Sequence, residues 1–151
     1  QNMSWNDAEE INKKWGKHFC LKGIMSVEDA KRAADIGATA IMVSNHGGRQ
    51  LDGSRSPFDQ LAAIVDAVGD KMDVICEGGI QRGTHVLKAL SIGAKACSGG
   101  RLYLYALAGA GQAGVERALS QYRAEIERDM KLMGCNKISD LNRNNLRFRK
   151  T

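Results

Sequence analysis

Apolar residues recur along this chain in two alternating spacings. Short, mostly apolar runs at residues 19–24, 40–43, 74–76 and 96–97 have the length and composition of strands. Between them the apolar positions fall three and four apart, the repeat of one helix face. Residues 4–15 carry the stripe Trp5, Ala8, Ile11 and Trp15, with Ser4 as N-cap and Lys13 and Lys14 near the end. A second helix follows Ser26, with Val27, Ala30, Ala33, Ala34 and Ile36 inward and Gly37 at its end. A third starts at Pro57, which suits a first helical turn, and turns Phe58, Leu61, Ile64, Val65 and Val68 to the core. Residues 84–92 predict a fourth helix and residues 102–110 a small, apolar, tightly packed fifth. Residues 112–133 predict a longer one, with Val115, Leu119, Tyr122, Ile126, Met130 and Met133 inside. Both tryptophans are expected in the core. The remainder, about 134–151, reads as a polar tail with a short helical segment at 139–141.

Strand and helix thus alternate four times with short connections. That pattern means parallel strands joined by right-handed crossovers, an α/β fold. An internal echo supports it. Residues 31–38 and 87–94 are each a helix end, then Ile-Gly-Ala, then a strand, then a glycine-bearing loop. Four such units are half of a TIM (β/α)8 barrel, a fold of ~250 residues, followed here by a further C-terminal helix. An open doubly wound sheet is the rival arrangement. The whole of 1–151 reads as a single partial domain.

Composition narrows the classes. The 151 residues are 43% hydrophobic and 26% charged, ordinary for a globular protein. No apolar run approaches the ~20 residues of a membrane helix, so no membrane span is expected. With no signal pattern at the start, a cytoplasmic setting is expected. The net charge of +5 suits acidic ligands. Basic residues cluster only at Arg143, Arg147, Arg149 and Lys150, with Phe148 the single interleaved aromatic, so nucleic acid is not the expected partner. The four cysteines have no metal-ligand spacing. Cys20, Cys76 and Cys97 each sit in an apolar run and are expected as buried thiols in a reducing compartment.

The chemistry gathers at strand ends. After the run 40–43 come Ser44, Asn45, His46, Gly47, Gly48 and Arg49, then Gln50, Leu51, Asp52 and Gly53. A histidine exchanges a proton near neutral pH, and an arginine grips a carboxylate with two hydrogen bonds. A base and an anion clamp together suit an enzyme acting on a small organic acid, although asparagine, histidine and glycine also make ordinary turns. Gly78-Gly79 and Gly99-Gly100 each precede a helix N-terminus and bare backbone N–H groups, as a phosphate site does. Arg101 and Arg82 are expected to add charge there. Lys22, at another strand end, can steady an anionic ring or a developing oxyanion. His18 is expected in a loop and His85 on a helix surface, both without a role. In a barrel all these strand ends face one mouth.

Residues 44–53, together with Leu21-Lys22-Gly23, the run Glu77 to Gly83 and Gly99-Gly100-Arg101, follow one another in a recognisable order. Over residues 4–148 the chain resembles the C-terminal half of the FMN-dependent α-hydroxy-acid dehydrogenase and oxidase family. That family includes glycolate oxidase, lactate oxidase, mandelate dehydrogenase and the flavocytochrome lactate dehydrogenases. The resemblance implies FMN as cofactor and oxidation of a small 2-hydroxy acid to the 2-oxo acid. It implies His46 as catalytic base and Arg49 as carboxylate ligand, both touching substrate. It places Lys22 by the flavin's pyrimidine edge, Glu77 at the ribityl chain, and Gly78, Gly79, Gln81, Gly100 and Arg101 around the phosphate. Two positions depart from the family. It usually has Asp at the place of Glu77 and Arg at the place of Gln81. Losing one charge-assisted contact at Gln81 costs roughly 1.5–3 kcal/mol, or ten- to a hundredfold in affinity. The resemblance also implies that the open sheet edges pair with an N-terminal half that is not in this sequence. A stand-alone half barrel that binds phosphate or self-associates, with a second copy as partner, is the non-catalytic alternative.

Overall fold

The computed structural model describes residues 3–148. Four strands, β1 (Cys20–Lys22), β2 (Ala40–Val43), β3 (Asp73–Glu77) and β4 (Ala96–Ser98), lie parallel in the order β1-β2-β3-β4. Helix α1 (Trp5–Trp15) precedes them. Helices α2 (Val27–Asp35), α3 (Pro57–Val68), α4 (Gly83–Ile92) and α5 (Arg101–Met133) each follow a strand. This is half of a (β/α)8 barrel, four βα units with a long final helix.

Strand register fixes what faces where. Leu21, Ile41 and Val74 lie side by side, as do Val43, Cys76 and Cys97. Side chains alternate across a strand. These residues therefore share the face packed on the helices, where Ile41, Val43 and Cys76 are fully buried with Leu61, Ile64 and Val68 of α3. The other face carries Lys22, Met42, Ile75 and Glu77, half-buried or exposed. The repeat seen in the sequence closes both of its helices with the same bond. Ala38 N–H donates to Ala33 C=O and Ala94 N–H to Ala89 C=O, each at 3.0 Å.

Several expectations are corrected. The first strand spans only Cys20–Lys22, and as an edge strand it leaves Cys20 exposed rather than buried. Cys97 is half-buried on the other edge strand. Trp5 packs against the core, but Trp15, at the last residue of α1, is 58% exposed. Its indole N–H donates to His18 C=O at 2.9 Å and Lys17 stands over the ring. The two final helices are one run, broken at Ala110–Gly111 where the backbone leaves helical angles. The part before the break is not tightly packed, since Leu104, Tyr105 and Leu107 are at least half exposed. It leaves β4, which among the described residues is an edge strand. After the break, Tyr122 joins the main core, and Ile126 and Met130 join a second cluster with Leu87, Cys135 and Leu141. Leu119 and Met133, expected inside, are exposed. The tail is docked: Arg143 donates to Asp66 at 2.6 Å and to Ile92 C=O at 3.0 Å. Arg149 and Lys150 lie outside the described residues. Among the described residues, no helix is long and apolar enough to cross a membrane.

Candidate active site

The mouth of the half barrel holds an open cleft of about 670 Å³. Its wall includes Lys22, His46, Arg49, Glu77, Gly78, Gly79, Gln81, Gly100 and Arg101, but not Arg82. Register brings three polar groups together. Lys22 pairs alongside Met42, and Met42 alongside Ile75. Two residues past Met42 is Ser44 and two past Ile75 is Glu77, so period-2 alternation returns both to the face of Lys22.

Ser44 is the hub of this group and is 1% exposed. Its hydroxyl accepts from Lys22 Nζ at 2.9 Å and from the His46 backbone N–H at 3.1 Å, and donates to Glu77 Oε2. A hydroxyl has one donor and two acceptor sites, so all three are used. Lys22 Nζ also reaches Glu77 Oε2 at 3.0 Å. Burial pushes the Glu77 carboxyl up. The hydrogen bonds from Ser44 and Lys22 and the nearby positive charge outweigh that, and hold it below the ordinary carboxylate range.

The His46 loop is a single 3-10 turn, His46–Gly48, closed by Asn45, whose side chain accepts from Gly47 N–H at 3.0 Å. His46 is held at φ 54°, a conformation that costs a non-glycine residue energy and tends to be kept at functional sites. Its imidazole lies over Gly23. A Cβ at Gly23 would stand 3.0 Å from Cε1 and 3.1 Å from Nε2 and press on the ring, and the φ of 92° there favours glycine. Arg49 is exposed on the rim.

The opposite wall presents glycine backbone beside Gln81, Arg101, Leu102, Leu104 and Tyr105. Gly79, at φ 72°, and Gly100 have open space where a Cβ would project. Gly100 caps α5 without a side-chain hydrogen bond, so the first N–H groups of that helix have no capping side chain, as an anion site requires. Arg101 donates Nη2–H to Gly47 C=O at 2.8 Å and so bridges this wall to the His46 loop.

Two residues depart from their expected places. Arg82 is turned away from the cleft and clamped by Glu125 at 2.7–2.8 Å. Glu125 also accepts the Gly83 N–H at 2.7 Å, so the α4 N-terminus already has its anion. His85 is not an idle surface group. Its Nδ1 lies 3.2 Å from Gln81 N and 3.1 Å from Gly79 O, in the bare loop itself. The signal for Ser44 was legible in its position two residues past Met42. That for His85 was its place on the first turn of the helix after the loop.

A family model described as FMN-dependent dehydrogenase matches residues 1–148. The chain belongs to that family. Its members include proteins named for the chemistry the motif suggested. The chain is 46% identical over 139 residues to the L-lactate oxidase of a Nostoc species, covering 92% of this chain and 38% of the relative. It is 46% identical over 138 residues to the pre-mycofactocin synthase of Mycobacterium tuberculosis, covering 91% and 35%. Among solved structures, a mandelate oxidase variant with its monooxide FMN adduct superposes with a TM-score of 0.87 at 43% identity, over 93% of this chain and 45% of that one. FMN is the family's cofactor. The chain spans 35–45% of the length of these proteins.

Proposed function

We propose that this chain is the C-terminal half of an FMN-dependent enzyme that oxidises a small 2-hydroxy acid, of lactate, glycolate or mandelate type, to the 2-oxo acid. The observation that carries the reading is one cleft walled by a histidine, an arginine and a lysine on one side and by glycine backbone on the other. The cleft fits the cofactor. Its volume lies in the range of small-molecule sites, about 300–1,000 Å³. Gly79 and Gly100 leave the room a phosphate needs against backbone N–H groups. In this reading Lys22, Glu77, Gly78, Gly79, Gln81, Gly100 and Arg101 hold FMN, which when bound supplies the two-electron acceptor.

The remaining work falls to the chain's own side chains. Arg49 takes the substrate carboxylate in a two-pronged grip and sets which face of the α-carbon meets His46. His46, fixed through its backbone N–H by Ser44 and packed over Gly23, takes the proton released from the α-carbon or hydroxyl. Lys22 keeps a positive charge at the mouth, half balanced by ionised Glu77. Arg101 has donors beyond the Nη2–H given to Gly47, so it can meet an anion and still brace the His46 loop.

The exposed apolar residues Leu104, Tyr105 and Leu107 support pairing with the other half of a barrel, which relatives more than twice as long contain. We assign residues 1–151 to one partial domain on the same ground. The test is flavin absorbance of the chain with added FMN, alone and mixed with an N-terminal half from a relative. Bleaching by lactate, glycolate or mandelate is expected. Bound flavin that none of these acids reduces, even in the reconstituted barrel, overturns the substrate reading.

A further inference from the structure

We propose that His85 is a positioning residue of the anion cradle, exchanging hydrogen-bond partners with its proton so that the cradle binds anions more tightly when His85 is charged. The inference rests on the reading of the glycine wall as a phosphate site. It starts from a conflict of roles. One ring nitrogen, Nδ1, lies 3.2 Å from the Gln81 N–H and 3.1 Å from the Gly79 C=O. The first contact needs Nδ1 as an acceptor, the second as a donor, and one nitrogen in one state cannot be both.

In the neutral ring with its proton on Nε2, Nδ1 accepts the Gln81 N–H. When a second proton, taken from water, makes the ring an imidazolium, Nδ1 donates to Gly79 C=O instead. The Gln81 N–H is then free for an anion, and a positive charge sits one helical turn behind the loop. Gln81 has no charge of its own, and Arg82 is committed to Glu125. Protonated His85 is the cation this loop otherwise lacks.

The surrounding charges leave that role to His85. Arg82 caps α4 and Lys88 stands on it, and on α5 stand Arg101, Arg117, Glu125 and Asp129. Glu77 ends the strand before the loop. Glu125 is held by Arg82 and the Gly83 N–H, Asp129 by Arg128, and Glu77 by Lys22 and Ser44. Among the described residues, no carboxylate pairs with the His85 ring. By linkage, an anion in the cradle and a proton on His85 favour each other equally.

The test uses inorganic sulfate, a dianion across the whole pH range, titrated into the chain between pH 5.5 and 8 and followed by NMR at the Gly79, Gln81 and Gly100 amides. Affinity is expected to fall about tenfold as pH rises, from loss of one unit charge at a few ångströms. The decisive variant is His85→Gln, which is expected to flatten most of that slope. An unchanged slope in His85→Gln overturns the proposal. Hydrogen exchange at the Gln81 amide reads the partner exchange without any ligand. Protection at pH 8 that is lost at pH 5.5 supports it, and protection independent of pH overturns it. If sulfate shifts none of these amides while Gln81 protection still follows pH, it is the phosphate-site reading that fails, not the exchange of partners at His85.

Discussion

Replacing Ser44 by alanine removes three hydrogen bonds at a position 1% exposed. The neutral bond from His46 N–H is worth about 1 kcal/mol, and bonds to charged groups about 1.5–3 kcal/mol each when buried. Two corrections lower the sum. The Lys22 side chain is 47% exposed, so its bond is screened. Lys22 and Glu77 also keep their direct 3.0 Å contact in the variant. The net expectation for Ser44→Ala is a loss of about 2–3 kcal/mol. The assay is urea unfolding at pH 7 with an unchanged m-value, which separates lost stability from a changed unfolded state. A loss below about 0.5 kcal/mol, the range of ordinary surface substitutions, refutes the reasoning that one hydroxyl ties the lysine, the acid and the His46 loop together.

Other consequences are as direct. Because the Glu77 carboxyl is held below its ordinary value of 4.5, its contribution to stability is fully present above that pH and is lost as pH falls through the lowered value. Glu77→Gln is expected to remove this part of the acid sensitivity, measured as unfolding midpoints between pH 3 and 7. Leu61→Ala, in a fully buried site of α3, is expected to cost about 3–5 kcal/mol by urea unfolding. Gly83→Ala would set a Cβ 2.6 Å from Glu125 Cβ and 2.8 Å from Ile126 N, and is expected to cost about 1–3 kcal/mol with α5 displaced, read by urea unfolding and amide shifts along the helix. Burial, then the charges near Cys97 and Glu77, push the Cys76 thiol up to about 12, and burial pushes Cys97 to about 11. A thiol reagent at pH 8 is expected to label exposed Cys20 first and to reach Cys76 only on unfolding, followed by mass spectrometry.

The sequence carried the architecture because each level of it agrees. The strand runs are short and apolar, and Pro57 and Ser4 open helices where they stand. The Ile-Gly-Ala echo ends two helices with the same backbone bond. What it carried poorly was burial at the margins. Apolar composition at Leu104, Tyr105 and Leu107 argues for a core, but composition does not say whether a neighbouring element exists to cover it. Cys20 and Trp15 fail for the same reason, one on an edge strand and one at a helix end. The site residues were legible as strand-end chemistry, and the structure brings them to one cleft. Side-chain direction was not legible there. Arg82 follows a glycine loop as a phosphate ligand would, yet Glu125, 43 residues further on, turns it away. His85 looks like helix surface until the turn folds its ring back on the loop.

The central claim is that the glycine wall and the His46 loop form one FMN site. An FMN titration of the folded chain, mapped by backbone amide shifts, tests it most directly. Saturable shifts are expected at Gly79, Gly100 and Arg101 together with Lys22 and Gly47, on both walls of the cleft. Shifts confined to another surface, or none at millimolar FMN in a folded chain, would contradict it.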